Sequence, residues 1–143
     1  MTDKKHKKVT GIGGIFFKSN NPDKIKNWYS QHLGLVTNEY GSLFEFRRSD
    51  KPDHKAYSVW SPFDEATDYF EPSDKDFMIN FRVDDLDELI KELRTNGVEI
   101  VGEIETYEYG KFAHILDPEG NKIELWEPVD QVFTDLYGDR TTH

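Results

Sequence analysis

The stretch Lys111 to Pro128, KFAHILDPEGNKIELWEP, can bring one carboxylate against one imidazole. Asp117-Pro118-Glu119-Gly120-Asn121 has turn chemistry, because proline fixes one φ and glycine and asparagine tolerate positive φ. With Asp117 facing Asn121 across the turn, His114 falls opposite Glu124. Side chains alternate along strands, so Ala113, Ile115, Ile123 and Leu125 share an apolar face while His114, Glu124 and Trp126 share the other. A carboxylate beside an imidazole fixes its tautomer and raises its basicity, leaving the second ring nitrogen to bind a ligand or take a proton. Glu124 and His114 are therefore the candidate catalytic pair. The same two groups can equally satisfy each other as an ion pair with no further role.

Two helices and the strands around them must position this hairpin. Asn21-Pro22-Asp23 starts the first helix, with Ile25, Trp28, Tyr29 and Leu33 at near-helical spacing and Gly34 to end it. Asp84-Asp85 caps the second, where Leu86, Leu89, Ile90 and Leu93 form the apolar stripe and Gly97 closes. Asn21 and Asp84 stand 63 positions apart, as do Gly34 and Gly97, so one unit occurs twice. The first unit reads as strand Val9 to Lys18, the helix, then strands Val36 to Tyr40, Leu43 to Arg47 and Tyr57 to Trp60. In the second, Phe77 to Val83 leads in. Val98 to Val101, Ile104 to Tyr109 with Phe112 to Leu116, and Lys122 to Glu127 follow.

The expected fold is α+β: two tandem βαβββ units forming a curved mixed sheet around a cup, with a helix on the outer side of each. Phe77, Ile79, Phe81 and Val83 face the helix at period two. By the same phase the cup receives Phe16, Trp60, Met78, Asn80 and Trp126 beside His114 and Glu124. These five are the candidate substrate-binding residues, a mixture suited to a small, partly aromatic or cationic molecule. Asn80 on an apolar strand points to a polar cavity, since an unpaired buried amide costs on the order of 1–3 kcal/mol.

Strand-NPDKIKNWYSQHLGL, then FMINFRVDDLDELIKELRTNGVEI, then DPEGNKIELWEP resembles, in order and spacing, the vicinal oxygen chelate superfamily of glyoxalases, bleomycin resistance proteins and extradiol dioxygenases. The resemblance runs from about Val9 to Pro128. It implies a divalent metal held by one side chain near the middle of each leading strand and one on each closing strand, with substrate oxygens chelated to it. Those positions fall here on Gly14, on Met78 or Asn80, on the strand Ala56 to Phe63, which has no His, Asp or Glu, and on Glu124. One good ligand in four predicts that no metal or other cofactor is held, a divalent ion through Glu124 being the minority alternative.

Composition bounds the rest. The chain of 143 residues has 36% hydrophobic residues, enough for a core, and divides into a basic start (residues 1–8), one domain (9–128) and a tail (129–143). Within the domain, repeat 1 covers about 9–63, a linker 64–76 and repeat 2 about 77–128. Tyr69 and Phe70 in that acidic linker could also lie over a pocket mouth. The absence of cysteine excludes disulfides and thiolate chemistry and fits a cytoplasmic protein. A net charge of −10 argues against nucleic acid and anionic membrane as partners, and no apolar run approaches a membrane span. A homodimer is expected, and Val132, Phe133, Leu136 and Tyr137 at near-helical spacing would pack either on a neighbour or on the chain's own sheet. Two functions remain: a binding module for a small organic molecule, or a lyase or isomerase of the glyoxalase type with an altered or metal-free site.

Overall fold

In the computed structural model, which describes residues 8–143, Asn21 Oδ1 accepts the backbone N–H of Lys24 at 3.1 Å, and Pro22 opens α1 (Pro22–Leu33). Gly34 closes it at φ 76°, a left-handed conformation that glycine adopts without a Cβ penalty. Asp85 caps α2 (Leu86–Thr95), its carboxylate accepting from Glu88 N at 3.1 Å. Asp84 turns away to Arg48 at 2.7 Å. Most of the basic start, residues 1–7, lies outside the described residues; Lys8 pairs with Glu92.

Seven strands make one sheet: β1 (Val9–Ser19), β2 (Ser42–Arg48), β3 (Lys51–Asp64), β4 (Phe77–Val83), β5 (Ile100–Tyr107), β6 (Gly110–Leu116) and β7 (Lys122–Pro128). Their order is β2-β3-β1-β4-β7-β6-β5. The two units meet at the antiparallel pair β1 and β4, and each lays its closing strand parallel to its leading one, β3 on β1 and β7 on β4. The tandem mixed sheet is the expected architecture, and it stays open. Among the described residues no helix is long and apolar enough to cross a membrane.

Two local expectations change. Residues 36–40 form no strand beyond an isolated bridge, Thr37 to Ser42, because Asn38 Oδ1 accepts from the amides of Tyr40 and Gly41 and turns the chain. The two short strands expected over 98–109 are one, β5, with its register to β6 shifted between Val101 and Glu105, where Gly102 has φ 75°.

The core is uneven. Leu86, Leu89 and Ile90 of α2 are buried with Val83, Ala113 and Leu125, and Phe81, Ile115 and Ile123 pack around them. At about 25 cal/mol per Å² of apolar surface removed from water, this cluster is the main stabilising mass of the second unit. In contrast, α1 buries no residue fully. It touches the sheet chiefly through Tyr29, whose ring lies 4.4 Å from that of Trp60.

A third helix, α3 (Asp130–Tyr137), crosses the inner side of the sheet. Its Phe133 meets Trp126 edge-on at 5.6 Å, Thr134 hydrogen-bonds Tyr57 at 2.8 Å, and Asp130 pairs with Arg82. Beyond it Thr142 pairs with β2, donating to Leu43 O and accepting from Glu45 N. The tail thus packs on the chain's own sheet.

Candidate functional site

Strand pairing decides which side chains meet. His114 and Glu124 are register partners on β6 and β7, and His114 Nε2 lies 2.8 Å from Glu124 Oε2. Asn80 on β4 is the register partner of Glu124 on its other side and donates Nδ2 to Oε1 at 2.7 Å. A third partner comes from far along the chain: the Tyr69 hydroxyl donates to Oε2. All three strand groups are buried, Glu124 to 2% exposure, Asn80 to 1% and His114 to 8%.

The segment 64–76 supplies the seal. Tyr69 stacks on Phe63 at 5.7 Å and meets His114 edge-on at 5.5 Å, while Phe70 is fully buried against Phe16 and Met78. Lys122 Nζ donates to the Tyr69 carbonyl at 2.6 Å and sits over its ring at 5.2 Å. Burial, and then the charge of Glu124, push the Tyr69 hydroxyl well above its ordinary range, so it stays a neutral donor. Burial also lowers the pKa of Lys122, against the pull of Glu124. Tyr69 was missing from the sequence-derived site residues because nothing local ties a loop tyrosine to a strand 55 positions away. Its one signal was an aromatic pair inside an acidic segment.

The remaining expected site residues divide. Phe16 and Trp126 face the inner side, and Met78 does too, but it is wholly buried beneath Phe70. Trp60 is a correction. It packs on Phe17 and Tyr29, on the side covered by α1, because the inner side of β3 belongs to Tyr57, Val59 and Phe63. Beside Gly14 stands the Phe16 ring, 2.8 Å from where a Cβ would be. A register shift between Ile12 and Gly14 turns Gly13 inward, and Asn80 Oδ1 lies 2.1 Å from its would-be Cβ. Any larger residue at position 13 would displace Asn80.

These residues do not fit the metal implied by the resemblance. Both carboxylate oxygens of Glu124 already accept from protein donors, the groups around it are an amide N–H, a phenol and the single imidazole of His114, and the positions of the leading strands hold a glycine backed by phenylalanine and a thioether under Phe70. Among the described residues no three His, Cys, Asp or Glu side chains are grouped to hold an ion.

Open space lies elsewhere on the inner side. A cavity of about 430 Å³ is walled by Phe16, Tyr109, Phe112, Trp126, Phe133 and Tyr137, with Gly13 and Asn80 also lining it. Because its lining comes from both sheet halves and from α3, the sheet must curl around it. Trp126 stacks on Phe112 at 5.8 Å and donates Nε1 to Tyr109 O at 3.2 Å, which fixes that wall. Asn80 both lines this cavity and hydrogen-bonds Glu124. A second hollow of about 620 Å³ is polar, but its Arg48 and Arg82 are committed to Asp50, Asp84 and Asp130.

Comparison with known proteins agrees with this geometry. No curated protein matches the chain. Methylmalonyl-CoA epimerase from Mycobacterium tuberculosis is 23% identical, covering 87% of this chain and 91% of its own, with a TM-score of 0.55. A variant of the Streptomyces coelicolor epimerase in complex with 2-nitronate-propionyl-CoA is 15% identical over 85% of this chain and 99% of its own, with a TM-score of 0.63. An NAD-dependent benzaldehyde dehydrogenase structure from Legionella pneumophila is 14% identical over 80% of this chain and 97% of its own, at 0.53. At such identities these likenesses establish the fold alone. The family model of the Glyoxalase/Bleomycin resistance protein/Dioxygenase superfamily matches residues 11–125, nearly the whole sheet, and the chain belongs to that superfamily.

Proposed function

We propose that this protein binds a small organic molecule in the cavity beneath α3 and that Glu124 and His114 hold its floor in place. The observation that carries this reading is the aromatic cavity itself, about 430 Å³, within the range of ligand sites and lined by rings with a few convergent polar groups. Glu124 supports it from the other side: a carboxylate accepting from Asn80 and Tyr69 and paired with His114 has no free face for a substrate. No metal enters the proposal. Metal analysis of protein purified without chelator checks that, and one equivalent of a divalent ion would oppose it.

The main test is calorimetric titration with neutral bicyclic aromatics, beginning with naphthylmethanol, against the full chain and Phe133→Ala. Phe133 supplies one wall from α3, and losing an edge-on ring contact is worth about 0.5–1.5 kcal/mol. Binding should weaken by roughly ten-fold while α3 stays folded. Equal affinity in both proteins would place the ligand elsewhere.

A second reading has one observation in its favour, the 2.8 Å contact of His114 with Glu124. As a lyase or isomerase, the protein would use Glu124 as the base, and Tyr69 would have to leave Oε2 first. The epimerases of the same fold suggest the assay: exchange of the acidic C–H of methylmalonyl-CoA into heavy water, with Tyr69→Phe. Exchange no faster than the uncatalysed rate removes this reading.

The proposal includes a homodimer, a state common in the superfamily. Ile12, Ile15 and Phe77 are 53%, 46% and 43% exposed on β1 and β4, on the helix-bearing side but beyond the cover of α1 and α2. A second copy about a two-fold axis would bury the same stripe on both chains. Ile15→Asp should convert a dimer to a monomer in size-exclusion light scattering. A wild-type chain that is monomeric at high concentration ends this part of the proposal.

A further inference from the structure

Aromatic rings and one carboxylate line the cavity beneath α3, and we infer that its ligand is a small aromatic amine bound as a cation. This rests on the cavity being the binding site and adds the charge of what it takes.

Rings form most of the wall, and the face of an aromatic ring is the negative end of its quadrupole. The indole N–H of Trp126, which would be a donor, is spent on the Tyr109 carbonyl. At the floor the chemistry of Glu124 dictates which way Asn80 points. A carboxylate already accepting from Tyr69 and Asn80 would be set against another acceptor if the amide were reversed, so Nδ2 must face Glu124. Oδ1 then faces the other way, against the backbone of Gly13, buried and without a partner. Gly13 and Asn80 both line the cavity, so the amide dipole turns its negative end to that side.

The formal charge agrees. Glu108, exposed in the turn between β5 and β6, lines the cavity, and no Lys, Arg or His stands among its described lining residues. An anionic ligand would meet ring faces, an amide oxygen and a carboxylate with nothing to balance its charge. An ammonium group finds electrostatic attraction from all three. The net charge of −10 draws cations toward the whole molecule.

The experiment uses one ring system with three charges: naphthylmethylamine, naphthylmethanol and naphthoate, titrated calorimetrically into the full chain at neutral pH and low salt. The amine should bind about ten-fold tighter than the alcohol, and the naphthoate weakest of all. Glu108→Lys, in an exposed turn, should abolish the preference for the amine over the alcohol. Naphthoate binding as tightly as the amine, with the alcohol also bound, overturns the charge assignment and leaves the cavity as a binding site. An amine preference unchanged in Glu108→Lys overturns the assignment too, since the charge would then be read elsewhere. If none of the three binds, both this inference and the binding function fall.

Discussion

Asp130→Ala should destabilise the protein by about 3 kcal/mol and loosen α3 from the sheet. Arg82 is the reason. Its side chain is 3% exposed, sits over the rings of Phe46 and Trp126, and donates Nη1 to Tyr57 O at 2.8 Å, yet its charge is balanced by Asp130 at 2.6 Å. Removing Asp130 leaves a guanidinium buried without its counter-charge, which typically costs 3–5 kcal/mol. Asp130 itself is 26% exposed, so water can relieve part of that cost and the lower end applies. The double variant Arg82→Met with Asp130→Leu tests the cause, because removing both charges together should recover most of the loss. Urea unfolding measures it. A loss below about 1 kcal/mol in the single variant would mean the pair behaves as a solvated surface bridge and that Phe133 holds α3 instead.

The parts of this fold that the sequence made legible are those set by contacts close along the chain. The His114 and Glu124 register follows from one five-residue turn, in which Asp117 accepts from Glu119 N, Asn121 N and the Asn121 amide. The helices follow from their caps and, in α2, from a stripe that buries three residues. Trp60 was misplaced because β3 gives no alternation to read. From Ala56 on it carries Ala56, Trp60 and Pro62 with Ser58 on one side and Tyr57, Val59 and Phe63 with Ser61 on the other, so large apolar residues and one serine stand on each side and neither side reads as the polar one. Only pairing with β1 and β2 settles its phase. Residues 36–40 misled in the opposite way: Val36, Thr37 and Tyr40 have strand propensity, but Lys26 Nζ holds the carbonyls of Asn38 and Glu39 and Asn38 turns the backbone. The seal by Tyr69 and the roof by α3 are long-range events, and no spacing rule reaches them. The cup was therefore foreseen, while its division into a closed polar cluster and an open aromatic cavity was not.

Glu124→Ala should be the most damaging single substitution in the chain, at about 3–5 kcal/mol, and the reason separates a structural from a catalytic role. Three elements converge on this one side chain: β4 through Asn80, β6 through His114, and the segment after β3 through Tyr69. Its loss leaves the Asn80 amide, the Tyr69 hydroxyl and the imidazole buried without an acceptor, each costing about 1–3 kcal/mol before any relaxation. Relaxation through Tyr69 is the easiest, since the segment can swing outward and let water reach His114. Proteolysis between Asp64 and Asp76 should accordingly accelerate in the variant well before global unfolding. Glu124→Gln keeps the shape and one carbonyl, so it should cost about half as much, the misplaced N–H₂ facing Asn80 or His114. Tyr69→Phe removes a single donor and should cost about 1 kcal/mol. That graded series, with affinity for naphthylmethanol preserved in Tyr69→Phe, is what a buried brace predicts. A Glu124→Gln protein as stable as the wild type but dead in C–H exchange would instead make the carboxylate a working base, and the reading of the cluster as a brace would have to be abandoned.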